Sequence, residues 1–483
     1  MIHSLFAALK QNGFIANIFK LMSGTVLAQA IGFLITPILT RLYTADAFGE
    51  AALFMSISSI IGVVACLKYE LAIVIPQKDD EAVSVLFVSF LAVFAVSFVV
   101  AVVIMSVKTF IVNLVKQTSF SFYINWLPFM VFLLGANLIL NYWNSRRNAF
   151  GRNAVARVAM SITTQGIKLG GGILGPASGG LLIFANIAGQ LASNILQFFQ
   201  VWQDKAIFIN SHFSLERIKQ AASRYRKFPI YSSWTGLLNT ASQQMPVLVM
   251  SFFFEPSIIG YYALGLGMLS LPSSLIADSV SQVFYQKACT IKANNGKEIS
   301  SKVYINLLAM GFLPFAFITL YGKELFAVVF GAQWETAGSY AQMLSIWTLF
   351  MFIARPLSTT ISVYEFQKTG LVLQIILFLL RIGSVVVGGR AGSAYLAVVL
   401  FSITGAVHCF LTSLWYIHVA GGPVRNVLKE SGYIAACGTF LLVGHYLLYQ
   451  NVLQNLTWFS VLSLVIAVFY YLLIRRKIVL QSN

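Results

Sequence analysis

Val83-Ser-Val-Leu-Phe-Val-Ser-Phe-Leu-Ala-Val-Phe-Ala-Val-Ser-Phe-Val-Val-Ala-Val-Val-Ile-Met-Ser106 runs for 24 residues without a charged side chain. About 20 mostly apolar residues in a helix cross the hydrocarbon core of a bilayer, so this stretch reads as a membrane span. Thirteen more segments of similar character lie on either side of it. With 83–106 included, the spans are 20–40, 48–67, 83–106, 124–143, 154–175, 180–202, 229–254, 260–285, 302–321, 338–354, 370–388, 392–418, 432–450 and 458–474. The expected fold is therefore an all-α polytopic membrane protein with about fourteen transmembrane helices. No segment shows the alternating polarity of a membrane β-barrel strand. Of the 483 residues, 58% are hydrophobic and only 10% charged, against about 25% charged in soluble domains. That excludes a soluble enzyme, a nucleic-acid-binding domain and a disordered chain.

Charge placement tests the count. The chain carries 32 Lys and Arg against 15 Asp and Glu, a net charge of +17. With fourteen spans, 25 of the basic residues fall in segments on the side of the termini and 5 on the other, while Lys168 and Arg381 lie within spans. By the positive-inside rule the termini of this multi-pass protein are expected in the cytoplasm. Residues 1–19 lack an apolar core followed by a small-residue cleavage site, so no cleaved signal is expected. They read as an amphipathic segment at the interface. Cys66, Cys289, Cys409 and Cys437 have no paired spacing, and His3, His212, His408, His418 and His445 are dispersed. Neither a disulfide framework, a metal site nor a cofactor is expected.

The chain repeats itself about 210 residues apart. Ser23-Gly-Thr-Val-Leu-Ala-Gln29 is echoed by Ser233-Trp-Thr-Gly-Leu-Leu-Asn239, and Phe48-Gly-Glu-Ala-Ala-Leu53 by Ile259-Gly-Tyr-Tyr-Ala-Leu264. Pro37 and Pro246 fall at matching levels of the first and seventh spans. The expected organisation is an N-lobe at 20–202, a basic linker at 203–228, a C-lobe at 229–419, and a C-terminal helix pair with tail at 420–483. Two parallel six-helix lobes around a central cavity are a transporter architecture. The linker segment Ser214-Leu-Glu-Arg-Ile-Lys-Gln-Ala-Ala-Ser-Arg-Tyr-Arg-Lys227 reads either as an amphipathic surface helix or as a charge cluster that pairs with anionic lipid.

Polar residues inside the spans mark the candidate site. The first span carries Gln29 and ends at Arg41, and the seventh packs Asn239, Gln243 and Gln244 among serines and threonines. Such density exceeds what interhelical hydrogen bonding needs and points to a wet cavity. A charge at mid-membrane costs about 2.5–3.5 kcal/mol or more, so Lys168, Arg381 and Asp278 are expected to face a cavity or a partner. Arg41, Lys168 and Arg381 are candidate substrate contacts and Asp278 and Glu70 candidate ion-coupling carboxylates, with Arg41 and Glu70 at span ends, where an ordinary interfacial residue is the other reading. The glycines Gly166, Gly170, Gly171, Gly172 and Gly175 read as close helix packing or a hinge. No Lys-Ser/Thr follows them, so they form no phosphate loop. No nucleophile–base constellation stands out, and the outer connections are too short for a polysaccharide polymerase, so no enzyme is expected.

Four segments carry a family likeness. Thr40-Arg-Leu-Tyr-Thr-Ala-Asp-Ala-Phe-Gly49, Lys68-Tyr-Glu-Leu-Ala72, Asn144-Ser-Arg-Arg-Asn-Ala-Phe150 and Phe330-Gly-Ala-Gln-Trp-Glu-Thr-Ala-Gly338 resemble bacterial polysaccharide (O-antigen-type) flippases. That family belongs to the multidrug/oligosaccharidyl-lipid/polysaccharide exporter superfamily. The resemblance implies transport of an undecaprenyl-pyrophosphate-linked oligosaccharide to the outer leaflet for O-antigen or lipopolysaccharide assembly, by alternating access. It also implies membrane lipid, H⁺ or Na⁺, and polysaccharide polymerase and assembly proteins as partners, with no nucleic acid. Two readings remain open beside it, a lipid II flippase, closer in span number, and a cation-coupled multidrug exporter.

Overall fold

A computed structural model describes residues 13–115, 120–210, 214–278, 280, 281, 284, 288, 296–364, 366–451, 463, 465–468, 470 and 471. Residues 1–12 of the interfacial segment, Cys289, His3, His212 and most of the fourteenth span lie outside the described residues. Among the described residues the chain is helical throughout, and eleven helices are long and apolar enough to cross a membrane. They coincide with eleven of the fourteen expected spans. Two more, the fifth and seventh, are helices of 25 and 21 residues, long enough to cross at 1.5 Å per residue but visibly more polar.

The chain divides into two compact units, Met1–Ala263 and Leu264–Asn483. The first contains α1 (Gly13–Leu42), α2 (Ala45–Gly62), α3 (Asp79–Val115), α4 (Leu127–Arg146), α5 (Phe150–Leu174), α6 (Gly179–Trp202), α7 (Leu215–Arg224), α8 (Ser233–Phe253) and the start of α9 (Pro256–Pro272). Short helical turns lie between them. Helix α1 packs along α5, α5 along α6, and α2 against α4, α6 and α8. Helix starts are set by side-chain caps: Ala47 N donates to Thr44 Oγ1, Leu181 N to Ser178 Oγ and Arg217 N to Ser214 Oγ. Each satisfies one of the amides that a helix start leaves without a partner.

The linker helix α7 docks on this unit. Its apolar face (Ile218, Ala221, with Tyr225 beyond) joins the core built from Val85, Ile139 and Trp143. Its basic face closes on the acidic start of α3: Arg217 pairs with Asp80 at 3.0 Å and Arg224 with Glu81 at 2.7 Å. Of the two readings of the linker, these two arginines follow the first, because α3 opens with Asp79-Asp80-Glu81, where negative charge also complements the helix dipole.

The second unit holds the rest of α9, α10 (Gly296–Phe330), α11 (Glu335–Leu357), α12 (Gln367–Arg390), α13 (Ala394–Val419) and α14 (Val424–Asn451). Helix α11 lies between α10 and α13, α12 packs on α13, and α14 on α10. His445 of α14 is buried, 2.8 Å from Tyr321 Oη and 3.0 Å from Ser463 Oγ. The hydrogen bond with Tyr321 joins α14 to α10.

Candidate functional site

Helices α1 and α5 hold polar residues on the faces they turn to each other. On α5, Arg157, Ser161, Gln165 and Lys168 recur at helical spacing and share one face. Arg157 Nη1 donates to Thr25 Oγ1 at 2.7 Å, and Ser161 Oγ to the Ala28 carbonyl at 2.8 Å. Gln165 lies against Gly32, where a Cβ would come within 3.4 Å of its Nε2. At the far end Tyr43 Oη donates to the Lys168 carbonyl at 2.6 Å. Neither helix contains an Asp or Glu. Among the described residues no acidic side chain pairs with Arg157 or Lys168. Two cations thus stand about 16 Å apart along one seam, eleven residues at 1.5 Å each. Together they make the seam a cationic track with no acid on either helix.

Arg157 was absent from the sequence candidates, counted instead among the loop positives. Two signals could have found it: its spacing to Lys168, and the lack of any acid between Phe150 and Leu174.

The other amides divide into two groups. Asn137, Asn141, Asn144, Asn153, Asn194 and Gln197 hydrogen-bond to one another inside the unit, for example Asn144 Nδ2 to Asn153 Oδ1 at 3.0 Å and Asn137 Nδ2 to Asn194 Oδ1 at 3.0 Å. That is interhelical adhesion. On α8 the pattern differs. Gln244 accepts from Ser56 Oγ at 2.9 Å, tying α8 to α2, while Asn239 and Gln243 are exposed and contact each other at 3.4 Å. Gln29 sits partly buried on α1. Arg41 is exposed, and its Nη1 donates to the Pro37 carbonyl one turn earlier in α1.

After α2 the chain turns through Leu67 and Lys68, both left-handed at φ 49° and 61°, into a short turn of helix. The turn buries Glu70 to 1% exposure. Lys68 Nζ stands 3.6 Å from Glu70 Oε1, and Oε2 has no hydrogen-bond partner among the described residues. Burial pushes the Glu70 carboxyl above the ordinary carboxylate range, partly offset by Lys68. The folded chain then binds this proton more tightly than the unfolded chain, so stability falls as pH rises from the ordinary carboxylate value through the raised one. Glu70→Gln is expected to flatten the dependence of Tm on pH across that window and to leave Tm at neutral pH equal or higher. A variant with the parental slope would show that Glu70 does not titrate there.

In the second unit Arg381 is 6% exposed. Its guanidinium lies 5.3 Å from the Trp347 ring and 5.6 Å from the Phe401 ring, a cation–π cage between α11, α12 and α13. Asp278 follows a wide turn at Ser273–Ala277 and is held bidentately by Arg355, Nε to Oδ1 at 2.6 Å and Nη2 to Oδ2 at 3.1 Å.

A family model described as "Polysaccharide biosynthesis protein" matches residues 38–339, more than half of the chain. No curated protein matches the sequence. Among solved structures, "Lipid II flippase MurJ, inward closed conformation" aligns with a TM-score of 0.73 at 15% identity, covering 94% of this chain and 100% of that one. An inward-facing multidrug resistance MATE family transporter of the MOP superfamily aligns at 0.60 and 14%, covering 84% and 99%. A MOP superfamily transporter from Pyrococcus furiosus aligns at 0.52 and 12%, covering 84% and 95%. At these identities the likeness establishes the fold.

Proposed function

The chain belongs to the polysaccharide biosynthesis protein family, and on that premise we propose that it is a flippase. Its cargo is an undecaprenyl-pyrophosphate-linked oligosaccharide, moved from the cytoplasmic to the outer leaflet of a bacterial inner membrane for surface polysaccharide assembly. The observation that carries this reading is the acid-free seam of α1 and α5 with Arg157 and Lys168. A pyrophosphate cannot enter hydrocarbon unaided, because an ionised group without partners costs tens of kcal/mol in the idealised limit. Arg157 and Lys168 replace lost water around the phosphates, Arg41 serves the outer end, and Gln29, Asn239, Gln243 and Gln244 meet the sugar hydroxyls. Exposed amides on a helix of membrane-crossing length would be costly against lipid, which supports a wet surface at Asn239 and Gln243. Arg381 supports the site at a distance, by fixing α12 against α11 and α13.

Both termini are cytoplasmic in this proposal, by the charge count. Export of two negative charges across 100 mV, inside negative, is favourable by about 4.6 kcal/mol, enough to drive transport. Glu70 is the better candidate for H⁺ coupling, being buried with one free oxygen, whereas Asp278 is already neutralised by Arg355. The fit to the lipid II flippase structure favours lipid II as the second reading of the cargo.

The test is purified protein in liposomes, with fluorescent undecaprenyl-pyrophosphate oligosaccharide followed between leaflets. Flipping is expected to accelerate at least severalfold under an inside-negative potential. Dependence on a pH or Na⁺ gradient alone would replace potential-driven transport with ion coupling. Flipping of lipid II but not of the oligosaccharide would move the substrate to the second reading, and export of cationic dyes alone would overturn both.

A further inference from the structure

The repeated segments touch each other. Gly49, near the start of α2, and Gly260, near the start of α9, are separated by 211 positions, as are Ala45 and Pro256. A Cβ on Gly49 would lie 1.8 Å from the Pro256 carbonyl oxygen and 3.1 Å from Gly260 N. A Cβ on Gly260 would lie 2.0 Å from the Ala45 carbonyl oxygen and 3.0 Å from Gly49 N. The contact is reciprocal: each glycine meets the backbone of its repeat mate and the carbonyl four residues before it. Reciprocal contacts of this kind mark a two-fold axis, so a pseudo-dyad of the repeat passes between Gly49 and Gly260. Here backbone lies on backbone, with no side chain to hold the helices apart.

We propose that this glycine crossing is the outer seal of the transporter, a contact that must part for the cargo to leave. The inference rests on the transport reading above, whose topology places the loops before α2 and α9 on the outer side. Around the crossing, Tyr43, Ala45, Ala47, Ile259 and Tyr262 are all buried, so the closed crossing is dry. It is also wired to the cationic seam. Tyr43, two residues before α2, lies on Gly172 of α5 and donates to the Lys168 carbonyl, so movement of the α2 start reaches the helix that carries Lys168. Farther along, the same pair of repeats is joined through side chains, by Ser56 to Gln244 and by Lys68 lying over Gly236. The outer end is the place where the approach is closest and dispersion alone is lost on opening.

The test uses the full chain with its four native cysteines replaced and the dyad-related pair Asp46→Cys and Ser257→Cys introduced. A short bis-methanethiosulfonate bridge is expected to reduce flipping of the fluorescent lipid-linked oligosaccharide at least tenfold, with recovery on reduction. Undiminished flipping in the bridged protein would overturn the seal and make the crossing a fixed pivot. A second measurement needs no transport: Ala45→Cys labelled from outside with an impermeant maleimide, with and without Gly260→Ala. The added methyl is expected to speed labelling at least tenfold, and unchanged labelling of the folded, membrane-inserted variant would overturn the proposal. Loss of flipping before bridging counts against the transport reading, and the labelling rate then decides the seal.

Discussion

Lys168→Met is expected to reduce flipping of a pyrophosphate-linked substrate by roughly 10- to 100-fold while leaving the protein in the membrane at parental amounts. The magnitude follows from one hydrogen bond to a charged group, about 1.5–3 kcal/mol, converted at 1.36 kcal/mol per factor of ten in rate. Methionine keeps most of the apolar stem, so packing is preserved and only the ammonium is removed. Stability should move the other way. The ammonium sits on a helix of membrane-crossing length, and neither α5 nor its neighbour α1 supplies a carboxylate, so removing it relieves a charge costing about 2.5–3.5 kcal/mol or more. A higher Tm with crippled transport is the signature of a residue kept for its cargo. Equal transport by Lys168→Met would remove Lys168 from the track, and a fall in Tm would make it structural. Lys168→Arg should retain much of the activity, because the charge and donors remain. Arg157→Gln is expected to fall in the same range, and the double variant should be less than additive if both groups hold one pyrophosphate in succession.

The membrane class was legible because lipid imposes one rule on every span, that the backbone satisfies itself within the helix. Apolar runs such as Val83–Ser106 therefore announce themselves without any tertiary knowledge. The polar spans were harder, and Arg157 shows why. The turn from α4 to α5 takes only Arg147, Asn148 and Ala149, with Asn148 left-handed at φ 54°. The expected fifth span opens at 154, which left Arg152 in the loop and counted Arg157, only three residues inside, with the loop positives, whereas α5 has begun by Phe150. The partners of the charges within spans were equally hidden. Nothing local to Arg381 names Trp347 and Phe401 as its cage, and Asp278 finds Arg355 77 positions away. Gly49 and Gly260 stood out as a repeated Gly in matching segments, but only the crossing of their helices makes a glycine necessary at either position.

Arg146→Ala should be the most destabilising single change at the end of a span, lowering stability by about 1.5–3 kcal/mol, the range for hydrogen bonds made by a charged group. Arg146 closes α4 and is nearly buried, and its guanidinium gathers the chain that follows the Glu70 turn. Nη1 donates to the Ile73 carbonyl at 3.3 Å and also to that of Pro76, and Nη2 donates to Asp79 Oδ1 at 2.8 Å. Alanine removes these donors from the Ile73, Pro76 and Gln77 carbonyls and frees the segment joining Lys68 and Glu70 to α3. The second unit supplies the comparison. Arg355 likewise ends a span and grips Asp278, but both partners are about two-fifths exposed, so Arg355→Ala should cost less than about 1 kcal/mol. Thermal unfolding of the two variants in one detergent is expected to separate them by several degrees, with Arg146→Ala the lower. Arg146→Lys should recover little, because an ammonium is a single point of donors and cannot reach backbone and carboxylate together as the planar fork does. Full recovery by lysine would mean that charge opposite Asp79, rather than the fork on the backbone carbonyls, holds the turn that presents Glu70.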